Sequence, residues 1–319
     1  IMKELNKHNF IVDEIKKLSF SAPGSGAGKL YHEIPFEEFS EFNSARTSND
    51  IRLTKMVENY DFKGKRVLDI GCNIGYFCFK LAEKGAICYG VDYDKDSIKV
   101  AKMLQDYKGI QNVNFFNESF DDNFIEKTLL DLGPFDVIIL QSVNHWLLNA
   151  LNSSKKLVNL MRKLFNEKQI IFYEPSIGNK AFYPEMQDKK EVHKFLNSCG
   201  YSDVRNLGRF YTSNIDSKRD YWIGKVDLND IASKLIDGSN IKPILIKNNR
   251  KYFKYKNYFI KAVSLNHPAV FTYENEIKFS IALRGKEYLP YYFTSVTYKN
   301  YKLLFYEFVN AVQLESKIS

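Results

Sequence analysis

The stretch KRVLDIGCNIGYFCFKLAEKGAICYGVDYD (residues 65–94) sets two glycines, Gly71 and Gly75, between an acid at Asp69 and a second acid at Asp92. The apolar run before Asp69 reads as a strand, the glycines as a tight turn, the next run as a helix, and 87–91 as a second strand. In a doubly wound sheet the ligand crevice lies at the carboxyl ends of the strands, beside the first such turn. Glycine permits that turn and lets a ligand approach the backbone. Asp92 stands 21 residues past Gly71, placed to accept hydrogen bonds from both hydroxyls of a ribose. The spacing is D-x-G-x-N-x-G, which differs from the G-x-G-x-x-G of dinucleotide enzymes.

The elements that must hold this turn follow from the pattern around it. Strands are predicted at 66–70, 87–91, 113–116, 135–140 and 170–173, with helices at 76–83, 96–106, 146–165 and 185–198 between them. Two further strands, 203–207 and 220–226, complete a series of seven. Such alternation predicts a parallel α/β sheet with helices on both faces. Leu5, Ile11, Ile15 and Leu18 fall at helical spacing and predict an amphipathic helix before it. The expected division is an N-terminal helical or lid segment (1–48), an α/β domain (49–226), a polar linker (227–240) and a small β-rich unit (241–319). SAPGSGAGK (21–29) is a loop whose glycine spacing is one residue short of a phosphate-binding P-loop, with Leu30 where Ser or Thr would bind magnesium.

Composition narrows the class. The chain has 319 residues, 45% hydrophobic and 26% charged, with 25 Phe and 21 Tyr, which excludes a disordered polymer. No apolar run reaches the roughly 18 residues of a membrane span. The 4 cysteines (Cys72, Cys78, Cys88, Cys199) lack zinc-ligand spacing, and no signal peptide precedes them, so reduced thiols, a cytoplasmic setting and no metal are expected. Net charge is +8, a hint of a polyanionic partner. From Asp227 onward 14 Lys and Arg face 8 Asp and Glu, so most of the excess lies in the last third. The asymmetry marks two units.

The cofactor turn resembles the first motif of class I S-adenosylmethionine-dependent methyltransferases, and the order of elements to about Val226 is similar to that family's; Asn73 replaces the commoner middle glycine. The resemblance implies a Rossmann-like seven-stranded domain with S-adenosyl-L-methionine as cofactor. Asp69, Gly71, Cys72, Asn73, Gly75 and Tyr76 would then follow the methionine and ribose portion, and Asp92 would hold the ribose. Tyr93 would pack on adenine, Glu118 or Ser119 would meet the adenine edge, and Gln141 and Ser142 would face the sulfonium. Glu118 and Ser119 read equally well as a helix cap before Phe120. Upstream, Tyr31, Arg46 and Arg52 are candidates to fold over the cofactor, an arginine reaching its carboxylate; ordinary surface pairing with Glu37, Glu38 and Asp50 is the other reading.

For the acceptor, LQSVNHW replaces the D/N-P-P-Y-type motif of base amino-group methylation, and Cys199 has no neighbours suited to C5 chemistry. An oxygen or exocyclic acceptor remains. His145 follows the fourth strand and suits a general base, with a pocket-shaping or capping role as the alternative. An acceptor that is already anionic, such as a phosphate, needs no base, and positioning then carries the rate.

In the last third, YFIKAV (258–263) resembles the lysine-bearing strand of protein kinases, with Lys261 at the lysine position. ENEIKFSIALRGKEYLP (274–290) resembles the helix that follows, with Glu276 as its partner. LLFYEFVNA (303–311) resembles the fifth strand and hinge, placing Glu307 and Phe308 where adenine meets backbone. No glycine-rich loop precedes Lys261, and no H-R-D or D-F-G motif follows, so this sequence is not expected to be a complete kinase; Ile1 before Met2 suggests cut ends. Methyltransferase followed by kinase lobe resembles the bifunctional methyltransferase/kinases that terminate bacterial O-antigen chains. That implies a glycan or phosphorylated-glycan substrate, ATP with magnesium in a longer form, and a glycosyltransferase or peripheral contact at the inner membrane. The alternatives are an RNA (tRNA) methyltransferase with a basic, aromatic RNA-binding tail and a non-catalytic cofactor-binding scaffold.

Overall fold

The computed structural model describes residues 2–21, 28–46, 48–176, 188–212, 218–238, 240–247, 250–266, 270–284, 286 and 289–308. Helix α1 (Met2–Ser21) buries Ile11, Ile15 and Leu18, and α2 (Asn49–Asn59) buries Asn49, Arg52 and Met56. Seven strands follow: β1 (Arg66–Ile70), β2 (Ile87–Asp92), β3 (Val113–Asn117), β4 (Val137–Gln141), β5 (Ile170–Glu174), β6 (Asp203–Tyr211) and β7 (Lys218–Lys225). Their spatial order is β3-β2-β1-β4-β5-β7-β6. The first five are parallel, and β7 runs antiparallel to both β5 and β6. Because β7 is reversed, its first residues lie at the carboxyl edge of the parallel strands.

The alternation is buried on both faces, as continuous apolar strands require. One face carries α1, α2, α3 (Tyr76–Ala82) and α4 (Lys95–Lys108); Ile15, Phe79 and Leu104 belong to its core. The other carries an irregular helical stretch, α5 (Asp122–Phe124), a π turn (Ile125–Leu129) and α6 (Leu130–Leu132), then α7 (Asn144–Leu151), α8 (Ser154–Leu164) and α9 (Lys189–Cys199). Ile125, Leu160 and Leu196 pack there.

Three sequence expectations change. The single helix read over 146–165 is two, because Asn152 takes a left-handed φ of 49° and Ser153 accepts a hydrogen bond from the Lys156 N–H, capping a new helix. The helix read from 185 begins at Lys189 behind an Asp188 cap, residues 185–187 lying outside the described residues. The stretch read as a linker contains a helix, α10 (Leu228–Ile236), capped by Asp227. Its Leu228, Ile231, Ala232 and Leu235 are buried against the last unit.

That unit is an antiparallel five-stranded sheet with order β11-β12-β10-β9-β8. Its strands are β8 (Leu245–Lys247), β9 (Arg250–Tyr255), β10 (Tyr258–Ser264), β11 (Tyr292–Tyr298) and β12 (Tyr301–Glu307), with α11 (Val270–Ala282) against β10. It is docked on the first domain by specific polar contacts. The Tyr291 hydroxyl donates to the Arg162 carbonyl at 2.8 Å, Arg162 pairs with Glu307 at 3.1 Å, and the Tyr258 hydroxyl donates to the Gly200 carbonyl. Phe165 packs edge-on against both Tyr201 and Phe293.

Candidate active site

The turn after β1 is built by three alternate special positions. Gly71, Asn73 and Gly75 all take positive φ, at 78°, 52° and 84°. Asn tolerates this region better than most residues, which explains its place between the glycines. A Cβ on Gly71 would stand 2.6 Å from Val143, and one on Gly75 would stand 2.4 Å from Phe115. Both glycines are thus required by space as well as by conformation.

Asp92 ends β2 beside this turn. One carboxylate oxygen accepts the Asn73 N–H at 2.9 Å and the other accepts the Asp94 N–H at 2.9 Å. Burial pushes its pKa upward, and the two backbone N–H groups oppose that shift. Each oxygen keeps lone-pair capacity for a further donor. Asp69 is more deeply buried, and its burial raises its carboxyl to about 7.

A cavity of about 280 Å³ opens over the turn. Gly71, Asn73, Asp92, Tyr93 and Glu118 line one end, and Gln141, Ser142 and His145 line the other, with Tyr31 also at its wall. These predicted residues are therefore brought together from β1, β2, β3, β4 and the segment before α2. Arg52, Asp69, Cys72, Gly75, Tyr76 and Ser119 do not line it. Cys72 is buried behind the turn, and the Tyr76 hydroxyl donates to Asp50 at 2.6 Å, facing away from the cavity. Burial raises the Cys72 thiol well above its ordinary range, which keeps it an inert packing group.

The expectation for Arg52 is corrected. Its guanidinium is fully buried, with Nε donating to Glu174 at 2.5 Å, because Glu174 ends β5 inside the domain and requires a cation. Arg46 reaches the same carboxylate at 2.8 Å. Burial alone would raise the Glu174 pKa, but Arg46 and Arg52 override it and hold the carboxyl down at about 2. Ser142 donates to Glu174 and sits at φ 57°, a strained conformation for serine at the rim of a cavity.

Sequence reasoning missed Glu174 and also Arg219, Trp146 and Phe120, the last three of which line the cavity. Arg219 lies just outside the run read as the seventh strand; its Nη1 donates to Ser142 Oγ at 2.5 Å. Trp146 is half-exposed at the mouth, 5.0 Å from the His145 ring and 6.3 Å from Tyr93. An aromatic directly after the candidate base was the available signal. Burial, and then Arg219, lower the His145 pKa, so its imidazole is neutral at physiological pH.

The residues fit S-adenosylmethionine: a carboxylate with free lone pairs for a ribose, and Gly71 at the cavity wall, where no side chain stands between ligand and backbone. Apolar Ile70, Val91, Phe120 and Leu147 offer a wall for a purine. The second expected site is partly assembled. Lys261 pairs with Glu276, which also accepts from the Tyr306 hydroxyl at 3.1 Å, and these residues line a separate cavity of about 330 Å³. Glu307 and Phe308 do not line it. Their backbone N–H groups donate to Tyr291 and Asn257 carbonyls, at 2.7 and 2.8 Å, and the Glu307 carboxylate faces Arg162.

Known proteins resemble this chain in sequence and in fold. Residues 61–248 match the family profile described as a methyltransferase domain. The O-antigen chain terminator bifunctional methyltransferase/kinase WbdD of Escherichia coli is 27% identical over 264 residues, covering 74% of this chain and 36% of that relative. The chain thus spans little more than a third of the curated relative. The tRNA U34 carboxymethyltransferase of Sulfurimonas denitrificans is 22% identical over 213 residues, covering 63% of this chain and 70% of the relative. A solved structure of WbdD with a kinase inhibitor has a TM-score of 0.53 and 21% identity, covering 95% of this chain and 68% of that one, which shows a shared fold. Because that profile covers more than half of the sequence, the chain belongs to the methyltransferase-domain family, a class I S-adenosylmethionine-dependent methyltransferase related to WbdD.

Proposed function

We propose that the chain is an O-methyltransferase that caps a glycan, or the terminal phosphate of a glycan, in bacterial surface polysaccharide synthesis. One observation carries the reading: a single cavity joins the ribose-binding end at Asp92 to a polar end formed by Gln141, Ser142, His145 and Arg219. Bound S-adenosylmethionine supplies an electrophilic methyl group on a positively charged sulfur. Asp92 fixes the ribose and the Gly71–Gly75 turn lets the methionine portion lie against backbone. Leu147 and Phe120 exclude water beside it. For a hydroxyl acceptor, neutral His145 takes the proton at its ring nitrogen; for an anionic phosphate oxygen, orientation suffices.

The match to WbdD supports the glycan, and the Lys261–Glu276 pair supports a kinase-like lobe that would bind ATP and magnesium within a longer chain. The expected setting is the cytoplasmic side of the inner membrane, beside glycan-assembling enzymes; among the described residues no helix is long and apolar enough to cross a membrane. A labelled-methyl assay on isolated glycan, with and without a terminal phosphate, tests the function. Label on the glycan is expected. Label on tRNA alone, with tight salt-dependent RNA binding, would replace the glycan reading with the RNA one. In that assay His145→Ala separates the two acceptors: a drop of about 10²-fold or more marks a hydroxyl acceptor, and retention within about tenfold marks a phosphate.

A further inference from the structure

The five-stranded sheet has an edge whose residues are unlike those of an ordinary solvent face. Among the described residues β8 pairs with β9 alone. In and beside β8, Ile244, Leu245 and Ile246 are 60%, 54% and 62% exposed, three consecutive aliphatic side chains outside any core. Single exposed aliphatics are ordinary, but a run of them at an edge marks a contact surface. The register places them beside a basic end of the sheet. Ile246 faces Lys251 across β8 and β9, Lys247 faces Arg250, and Val263 of β10 stands between Arg250 and Lys302. The Lys251 ammonium lies 5.0 Å from the centre of the Tyr301 ring, and Lys299 sits in the turn from β11 to β12.

The charge at this end has one sign. Residues 240–251 carry Lys242, Lys247, Arg250 and Lys251, residues 297–302 carry Lys299 and Lys302, and neither stretch has an acid. The elements packed nearby do not cancel them. Asp237, just after α10, is held by Lys299 at 2.7 Å and by the Tyr298 hydroxyl at 2.7 Å, and Asp230 is held by Lys234. On α11, Glu276 is held by Lys261, and Glu274 has Lys278 one helical turn on. Among the described residues no carboxylate pairs with Lys242, Lys247, Lys251 or Lys302. A polyanion fits this end, and the aliphatic run decides which one. Single-stranded nucleic acid stacks its bases on aromatic rings, for which isoleucine and leucine are no substitute. An added strand is opposed by Pro243 and the flanking lysines, which blunt an edge against pairing. Aliphatic side chains ringed by Lys and Arg suit the boundary between anionic headgroups and acyl chains.

We propose that this edge docks on a membrane surface: Ile244, Leu245 and Ile246 enter the headgroup boundary of a bilayer containing anionic lipid, and Lys247, Arg250, Lys251 and Lys302 meet the lipid headgroups. Side chains alternate across a strand, so an edge that enters edge-on uses both faces. Ile246 and Lys251 share one face, and Leu245, Lys247 and Arg250 share the other. A lysine lays its stem along the aliphatic surface and keeps its ammonium at headgroup level, and the Tyr298 and Tyr301 rings suit the same depth. The surface shares no residue with the methyl-transfer cavity, so it stands or falls separately from the reading above.

Flotation of the chain with unilamellar vesicles tests it, at fixed low salt. Vesicles of phosphatidylcholine mixed with phosphatidylglycerol are expected to carry the wild type, and pure phosphatidylcholine vesicles to carry much less. Each cation at an anionic surface is worth about fivefold in partitioning, so Lys247→Gln with Lys251→Gln should lower it about 25-fold. Ile244→Ser with Ile246→Ser should lower it by about tenfold or more, since two aliphatic side chains lose their transfer into lipid. All four positions lie at the surface, and thermal melting with S-adenosylmethionine titration verifies that both double variants fold like wild type. Equal partitioning onto the two kinds of vesicle, or none onto either, overturns the proposal. So does partitioning that the serine variant keeps within about twofold, which is adsorption by charge alone. A wild type that ignores vesicles but dimerises through Ile244 and Ile246 in sedimentation gives the edge to a second copy and also overturns it. Binding to RNA with none to vesicles, lost in the lysine variant and kept in the serine variant, overturns it in favour of nucleic acid.

Discussion

Glu174 and Glu276 are both carboxylates held by cations, and the contrast between them separates the two halves of the chain. Glu174 is fully buried, with Arg46, Arg52, Arg219 and Ser142 around it. Glu276 is 31% exposed and meets one lysine and one tyrosine hydroxyl. In the first, removing the acid strands three guanidiniums inside the domain. In the second, water is near enough to replace what is lost. The same chemical pair is thus a structural keystone in one region and an adjustable contact in the other.

The largest effect expected from that contrast is at Glu174. Glu174→Gln should destabilise the chain by about 3–5 kcal/mol, the range for breaking a buried ion pair from one side. Denaturant unfolding checks it, and a loss below about 1 kcal/mol would put the two carboxylates in one class. The pH dependence has a definite sign. The folded carboxyl is depressed to about 2 from an ordinary 4.5, so its stabilisation is fully present above pH 4.5 and is lost as pH falls through about 2. Wild type should lose stability over that window more steeply than Glu174→Gln.

Arg162 tests whether the regions are separate bodies. Its Nε donates to the Ser198 carbonyl at 2.7 Å, its guanidinium meets Glu307, and it lies over the Tyr291 and Phe293 rings at 5.1 and 5.4 Å. Arg162→Ala should cost about 2–3 kcal/mol, from a charged hydrogen bond and two ring contacts. One cooperative unfolding transition in wild type that splits into two in the variant would show that this joint couples the sheets. Asp92→Ala comes next: it takes the acceptor from the Asn73 and Asp94 N–H groups at a cost of about 1–2 kcal/mol, and it weakens S-adenosylmethionine by about ten- to a hundredfold in calorimetry, as expected for lost hydrogen bonds to a charged group. Unchanged affinity would remove the ribose role from Asp92.

What the sequence disclosed follows the distance over which each feature is encoded. The turn from Asp69 to Gly75 is contiguous, and its demand for positive φ is written in the residue types, so both the motif and the sheet were legible. The Glu174 cluster joins Arg46, Arg52 and Arg219 across 128, 122 and about 45 positions, and no local pattern binds them. Strand five read as ending at Tyr173, one residue short of the acid, since apolar character stops there. Helix α10 was legible but overlooked: Leu228, Ile231, Ala232 and Leu235 recur at helical spacing behind an Asp227 cap, masked by polar neighbours and the Gly-Ser after them. The break at Asn152 was hidden by an apolar period that continues across it.

The smallest expected effect is at Lys261, and it bears most directly on what the last third contributes. Lys261 lies in the central strand β10, with Tyr252 and Leu304 as its cross-strand neighbours, and is 9% exposed as a residue. Lys261→Met keeps the aliphatic stem and removes the charge. Glu276, at the solvent margin, is then free to hydrate while it keeps the Tyr306 hydroxyl, so the stability change should stay within about 1 kcal/mol. S-adenosylmethionine affinity should not change, because the two cavities share no lining residue. A tenfold change in that affinity would mean that a contact in the five-stranded sheet is felt across Arg162 and α8 at the methyltransferase cavity. The lysine would then be a coupling element, and the chain would have to be treated as one site with two mouths.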